Sequence, residues 1–192
     1  MSHYIKIGIK IIWMLVLLYW FISGFGSKKA QHKEPFLKRF AQYWLPLIIA
    51  ILLLGPGEWF GHSWLRENFV EHTDLVGYTG LAISAIGAII ACISRYTLGK
   101  NWSLSVQRKE NHQLIQSGIY KVIRHPIYTG LLLLFTGNAL IVGDYRAIVA
   151  VLIVFVSLWL KLKKEEKWLM KTFGTKYTDY KNQTKAIIPY LI

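Results

Sequence analysis

Five mostly apolar stretches divide the chain, at 7–25, 43–60, 75–96, 126–143 and 147–160. Each meets or approaches the ~20 residues that a helix needs to cross a bilayer. The last is short, and its helix is predicted to continue out of the membrane through 161–173, where Gly174 is a natural residue to end it. Only Asp144, Tyr145 and Arg146 separate the last two stretches, which predicts a tight antiparallel helical hairpin. Pro46 and Pro56 fall in the second stretch, with Gly55 and Gly57 beside Pro56, and are expected to kink or end it. The pattern predicts an all-α, polytopic integral membrane protein with about five transmembrane helices. It divides into a part of three helices, 1–96, and a half with two helices and all of the polar motifs, 97–192.

Composition agrees. Of 192 residues 54% are hydrophobic, and the mean hydropathy is +0.34, too high for an ordinary soluble domain. The formal net charge of +13 would suggest nucleic acid in a soluble protein. Here the basic residues lie between apolar stretches, so the partner they imply is the lipid bilayer with its anionic headgroups, and no nucleic acid. The basic residues also set orientation. Lys28, Lys29, Lys33, Lys38 and Arg39 fill 27–42; Lys100, Arg108, Lys109, Lys121 and Arg124 fill 97–125; eight lysines follow from Lys161 onward. The intervening loops, 61–74 and 144–146, carry one positive residue each. This asymmetry places the N-terminus outside and the C-terminus in the cytoplasm, which five spans satisfy. No small-x-small cleavage site cleanly follows the first stretch, which is taken as a mature helix. Cys92 sits in an apolar run as an inert thiol.

Two polar clusters adjoin apolar stretches on the expected cytoplasmic side. The first contains Gln107, His112-Gln113-Leu114-Ile115, Tyr120 and Arg124-His125-Pro126-Ile127-Tyr128. Pro126 suits the first position of a helix, and the N–H groups of the following turn favour an anion, with Arg124 adding a full charge. The second contains Lys161, Glu165, Glu166, Leu169, Phe173, Tyr177 and Tyr180. Lys161 and Glu165, four apart, share a helix face. Each piece alone has an ordinary role: a snorkelling arginine, belt tyrosines, a local cap, a surface ion pair. Ionisable groups at the mouths of neighbouring membrane helices are costly, however, and their conjunction points to a charged small molecule at the membrane surface. The chain has no Walker loop, dinucleotide fingerprint or hydrolase nucleophile motif, and no metal-ligand spacing, so no metal is expected.

The segments LGKNWSLSVQRKENHQLIQSGIYKVIRHPIYTG and EEKWLMKTFGTKYTDY resemble the isoprenylcysteine carboxyl methyltransferase family and, more broadly, the membrane methyltransferases that include phospholipid methyltransferases. The resemblance covers roughly the last half of the chain. It implies a methyltransferase that uses S-adenosyl-L-methionine and acts on a lipophilic acceptor. The expected acceptor is an isoprenylcysteine-like carboxylate; the alternatives are a phospholipid amine, a small thiol, or a non-catalytic protein that binds anionic lipid. The implied cofactor contacts are Gln107, His112, Gln113, Leu114, Ile115, Tyr120, His125, Pro126, Ile127, Tyr128 and Glu165, and the charges of Arg124 and Glu166 add these two to the expected set. Lys161 and Glu165 take the catalytic positions. The family usually has arginine where this chain has Lys161, so the charge is kept and the planar fork is lost. The cofactor's carboxylate suits Arg124 and His125, and its ammonium and sulfonium suit Glu165 or Glu166.

Overall fold

In the computed structural model, which describes residues 2–25, 35–102 and 113–188, the fold is a bundle of helices with no strand among the described residues. Four helical segments are long and apolar enough to cross a membrane: His3–Gly24, Phe36–Leu53, Asp74–Asn101 and Tyr145–Phe173. A shorter apolar helix, Pro126–Val142, makes the fifth.

Helix α1 (His3–Gly24) buries only Ile5, Ile9 and Val16. Met14, Leu15, Leu17, Leu18, Phe21 and Ile22 are left exposed, as suits a helix facing lipid. The second rod is one continuous helix in three pieces: α2 (Phe36–Arg39), a π-helical turn (Phe40–Trp44) and α3 (Leu45–Leu53). It both starts and ends earlier than the expected 43–60. Pro56 and its flanking glycines stop it, and 3₁₀ turns at Gly57–Phe60 and Trp64–Arg66 follow. Pro46 does not end the helix. It has no N–H to give the Gln42 carbonyl four residues back, and that carbonyl accepts from Ser157 Oγ (3.4 Å) instead.

Helix α4 (Asp74–Leu98) starts at Thr73, whose Oγ1 accepts from the Val76 N–H. It buries a stripe of small residues, Gly77, Gly80, Ser84, Gly87 and Ala91. These let α5 (Pro126–Val142) approach closely. A Cβ placed on Gly80 would lie 2.5 Å from the Gly137 carbonyl oxygen, and one on Gly87 would lie 2.5 Å from that of Gly130. Helix α5 ends at Gly143 (φ 74°), and α6 (Tyr145–Phe173) starts after Asp144, so the hairpin is tighter than expected. At 29 residues, α6 is about 43 Å long, enough to span and continue outward as predicted. Helix α7 (Thr175–Gln183) follows Gly174. Residues after it fold back on the start of α5: Arg124 and His125 donate their N–H groups to the Lys185 and Ala186 carbonyls, and Lys185 donates to that of Val122.

The bundle has two distinct ends. At the hairpin end, the Ser2 N–H donates to Asp74 Oδ1 (2.6 Å) and Tyr145 N–H donates to the Glu67 carbonyl. At the motif end, Arg95 donates to the Ser23 carbonyl and Lys164 to Gln42 Oε1. Between them lies a core of Ile127, Leu131, Phe135, Ala150, Val154 and Leu158. The described residues of both polar clusters fall at the motif end.

Candidate active site

Residues 122–125 are fixed by the returning C-terminal segment, which aims Arg124 and His125 at α6. Arg124 Nε donates to Glu166 Oε1 (2.8 Å), and its Nη1 donates to the carbonyls of Lys181 (3.0 Å) and Thr184. Glu166 is buried, and its other oxygen meets Lys181 Nζ at 2.9 Å. Arg124 and Glu166 thus staple α5, α6 and α7 together.

His125 is buried at 8% exposure. Its Nδ1 lies 3.5 Å from Glu165 Oε2, and its Nε2 lies 3.7 Å from Glu166 Oε1. Both distances are long for hydrogen bonds, and Nε2 has no hydrogen-bond partner among the described residues. Burial disfavours the imidazolium, but the two facing carboxylates outweigh it and hold His125 above its ordinary pKa. The imidazole stacks on Tyr128, with ring centroids 5.3 Å apart and planes 8° apart. Tyr128 donates its hydroxyl to Glu165 Oε2 at 2.7 Å. Glu165 keeps 22% of its side chain exposed, which makes it the open carboxylate of the pair. Lys161 Nζ sits 5.3 Å from the ring centroid of Tyr128, one turn along α6 from Glu165.

The fold brings together Tyr120, Arg124, His125, Pro126, Ile127, Tyr128, Lys161, Glu165 and Glu166. Pro126 and Ile127 are buried as apolar packing, Ile127 in the core cluster. Tyr120 is buried, and its carbonyl accepts from the Tyr180 hydroxyl (2.7 Å). Gln113 is exposed, and Leu114 and Ile115 are half-buried in an irregular stretch. Gln107 and His112 lie outside the described residues. The anion cradle at the start of α5 is smaller than the sequence suggested: Pro126 has no N–H, and the amides of Tyr128 and Thr129 donate back to the His125 carbonyl. Lys181 and Thr184 complete the staple without a signal in the sequence, since they stand singly in a short polar segment.

The model of the phospholipid methyltransferase family matches residues 75–176, more than half of the chain and nearly all of the site just described. The chain belongs to this family. Among individual relatives, it is similar to protein-S-isoprenylcysteine O-methyltransferase B of Arabidopsis thaliana, with 26% identity over 146 residues, which cover 74% of this chain and 68% of that one. It is also similar to the protein-S-isoprenylcysteine O-methyltransferase of Schizosaccharomyces pombe, with 25% identity over 191 residues, 92% of this chain and 79% of that one. The chain spans 62% of the length of a probable rice relative of the same description. Among solved structures, the eukaryotic intramembrane Ras methyltransferase ICMT shares the fold. The TM-score is 0.59 at 23% identity, and the match covers 79% of this chain and 53% of that one. As a member of this family, the chain has a polar site at one end of a membrane helix bundle, in the half that the family model covers.

Proposed function

We propose that the protein is a membrane methyltransferase that uses S-adenosyl-L-methionine to methylate the carboxylate of an isoprenylcysteine-like, lipophilic acceptor. The reading rests on one observation: beside a closed Arg124–Glu166 staple stand three polar groups with unused capacity. These are the exposed edge of Glu165, the unpartnered His125 Nε2 and the Lys161 ammonium, which makes no hydrogen bond among the described residues. The family membership and the printed descriptions of the relatives support the same chemistry.

The donor set fits a zwitterionic sulfonium. Glu165 is the partner for the cofactor's ammonium, and His125, whose pKa the two glutamates raise, is a donor for its carboxylate. The resemblance adds Gln107 and His112 to this set. When bound, the cofactor supplies an electrophilic methyl group on sulfur. The chain's own residues need no general base for a carboxylate acceptor, which is already an anion. What they supply is alignment, the main requirement of a direct displacement. Lys161, one turn from Glu165 and ~5–6 Å nearer the membrane, pairs with the acceptor carboxylate. The apolar helices take up its lipid tail. A protonated phospholipid amine, the acceptor that the family's description suggests, would meet repulsion from Lys161. The lysine-rich loops support a cytoplasmic placement of this end of the bundle.

Transfer of a labelled methyl group to a panel of prenylated thioether acids, aminophospholipids and small thiols tests the reading. The expected result is turnover on the prenylated acids, with calorimetric binding of S-adenosyl-L-methionine. No binding of that cofactor, or turnover only on amines or thiols, overturns it.

A further inference from the structure

Two tyrosine rings lie close to Lys161. Its Nζ lies 5.3 Å from the ring centroid of Tyr128 and also 5.3 Å from that of Tyr43. Both distances are within the ~6 Å range of a cation–π attraction. Tyr43 comes from the N-terminal half, outside residues 75–176 that the family model matches. It is 7% exposed, so its ring is built into the bundle.

The local backbone explains how it gets there. Tyr43 lies in the π-helical turn Phe40–Trp44, an irregularity found frequently at functional sites. That turn grips α6 at three places. The Gln42 carbonyl freed by Pro46 accepts from Ser157 (3.4 Å), the Gln42 side chain accepts from Lys164 Nζ (2.5 Å), and the Tyr43 ring faces Lys161. All three contacts fall within two turns of α6, next to Glu165. The Lys161 ammonium thus lies near the rings of Tyr43 and Tyr128, and Tyr128 in turn stacks on His125.

We propose that Tyr43 is a specificity-determining residue of the acceptor site: with Tyr128 it forms a two-ring box that fixes the Lys161 ammonium so that it selects an anionic acceptor head and excludes a cationic one. The inference rests on the methyltransferase reading and extends it to the N-terminal half. Two ring faces attract a cation but accept no N–H hydrogen bond of ordinary strength, so they position the ammonium without consuming its three donors. Those donors stay available for a carboxylate. A box already filled by a lysine cannot take the ammonium of an aminolipid, although two tyrosine faces would otherwise suit one. Tyr43 is a positioning residue here; Lys161 makes the contact.

The test is equilibrium binding, which does not depend on turnover. An S-prenylated N-acetylcysteine and its methyl ester differ by one methyl group, which removes the charge that Lys161 would read. Tyr43→Leu is expected to weaken binding of the acid about tenfold and the ester by less than twofold, while Tyr43→Phe keeps both near wild type. About tenfold corresponds to ~1.4 kcal/mol. Fluorinated phenylalanines at position 43 keep the ring's shape and withdraw its electron density. They cover the case in which Tyr43→Leu does not fold, and affinity for the acid should fall step by step with fluorination. Equal loss of acid and ester in Tyr43→Leu, or affinity indifferent to fluorination, overturns the proposal, because Tyr43 is then only a lipid-facing wall. If wild type neither binds S-adenosyl-L-methionine nor transfers methyl, the methyltransferase reading fails separately, and the acid-to-ester ratio still decides the role of Tyr43.

Discussion

Each end of the bundle carries a buried arginine–carboxylate pair, and the two pairs do different work. At the hairpin end, Arg146 Nε donates to Asp144 Oδ2 (2.8 Å), and its Nη1 donates to the Leu53 (2.9 Å) and Gly55 (2.5 Å) carbonyls. One cation meets one anion and the backbone carbonyls where α3 ends, so the guanidinium ties the α5–α6 turn to the second rod. At the motif end, Arg124 and Glu166 form a pair of the same length, 2.8 Å. This pair is embedded among His125, Lys161, Glu165 and Lys181, more charge than folding needs. Buried ion pairs are a weak source of net stability, so the surplus calls for a second explanation. The difference teaches that a buried pair marks a site only when neighbouring charges are left with capacity for a ligand.

The sharpest way to break this comparison is to remove one partner of each pair. Glu166→Ala leaves Arg124 and Lys181 without their carboxylate. Stripping one partner from a buried pair costs about 3–5 kcal/mol, so this variant should show the largest fall in thermal stability in detergent. Arg146→Met is expected to cost on the order of 3 kcal/mol for the same reason, since Asp144 and two carbonyls lose their donor. The folded fraction of Arg146→Met should nevertheless bind S-adenosyl-L-methionine like wild type. A tenfold loss of affinity there would show that the hairpin end is not purely structural.

Glu165→Gln separates the two uses of charge within the motif end itself. Glu165 is the open carboxylate, so its removal should cost binding rather than folding. Losing one charge-assisted contact is worth about 1.5–3 kcal/mol, or about 10- to 150-fold in cofactor affinity. The melting temperature should move far less than in Glu166→Ala. Calorimetry and thermal unfolding on the same two preparations check this, and equal loss of stability in both would remove the distinction between staple and site.

Much of this contrast was legible in the sequence, and its limits are physical. The five helices followed from apolar length, because lipid enforces helix on any spanning segment. The second rod ends at Leu53, just before Gly55 and Pro56, where a kink or stop was expected; its start at Phe36 was not legible, because Lys38 and Arg39 break the apolar run there. Arg124, His125, Tyr128, Glu165 and Glu166 were named because they stand in compact motifs. Their division of labour was not readable. Whether a carboxylate is stapled or open depends on α7 and the residue that follows it, where the Lys181 and Thr184 carbonyls meet Arg124 only in three dimensions. Tyr43 was invisible for the same reason: it lies over a hundred residues from Lys161, and a single tyrosine in an apolar stretch has no pattern.

The smallest expected effect concerns His125 and pH. Glu165 and Glu166 face the imidazole from α6, Tyr128 stacks on it from α5, and Arg124 precedes it with Lys181 behind Glu166. Burial alone would depress its pKa, and the two carboxylates reverse this, so the folded value lies above the unfolded ~6.5. A group whose pKa is raised on folding stabilises the native state fully below its unfolded pKa, and that contribution fades as pH rises through the folded value. Stability should therefore decline gently above about pH 6.5 in wild type. His125→Asn, which keeps a polar group of similar shape without the titration, should flatten that part of the profile. At the hairpin end, Arg146→Met should lower the whole profile, since Asp144 and two carbonyls lose their donor; the titratable group beside Asp144 there is His72, whose Nε2 lies 3.8 Å from Asp144 Oδ1. A wild-type profile that rises through this window, or a slope unchanged in His125→Asn, would show that the imidazole is not held cationic between the two glutamates.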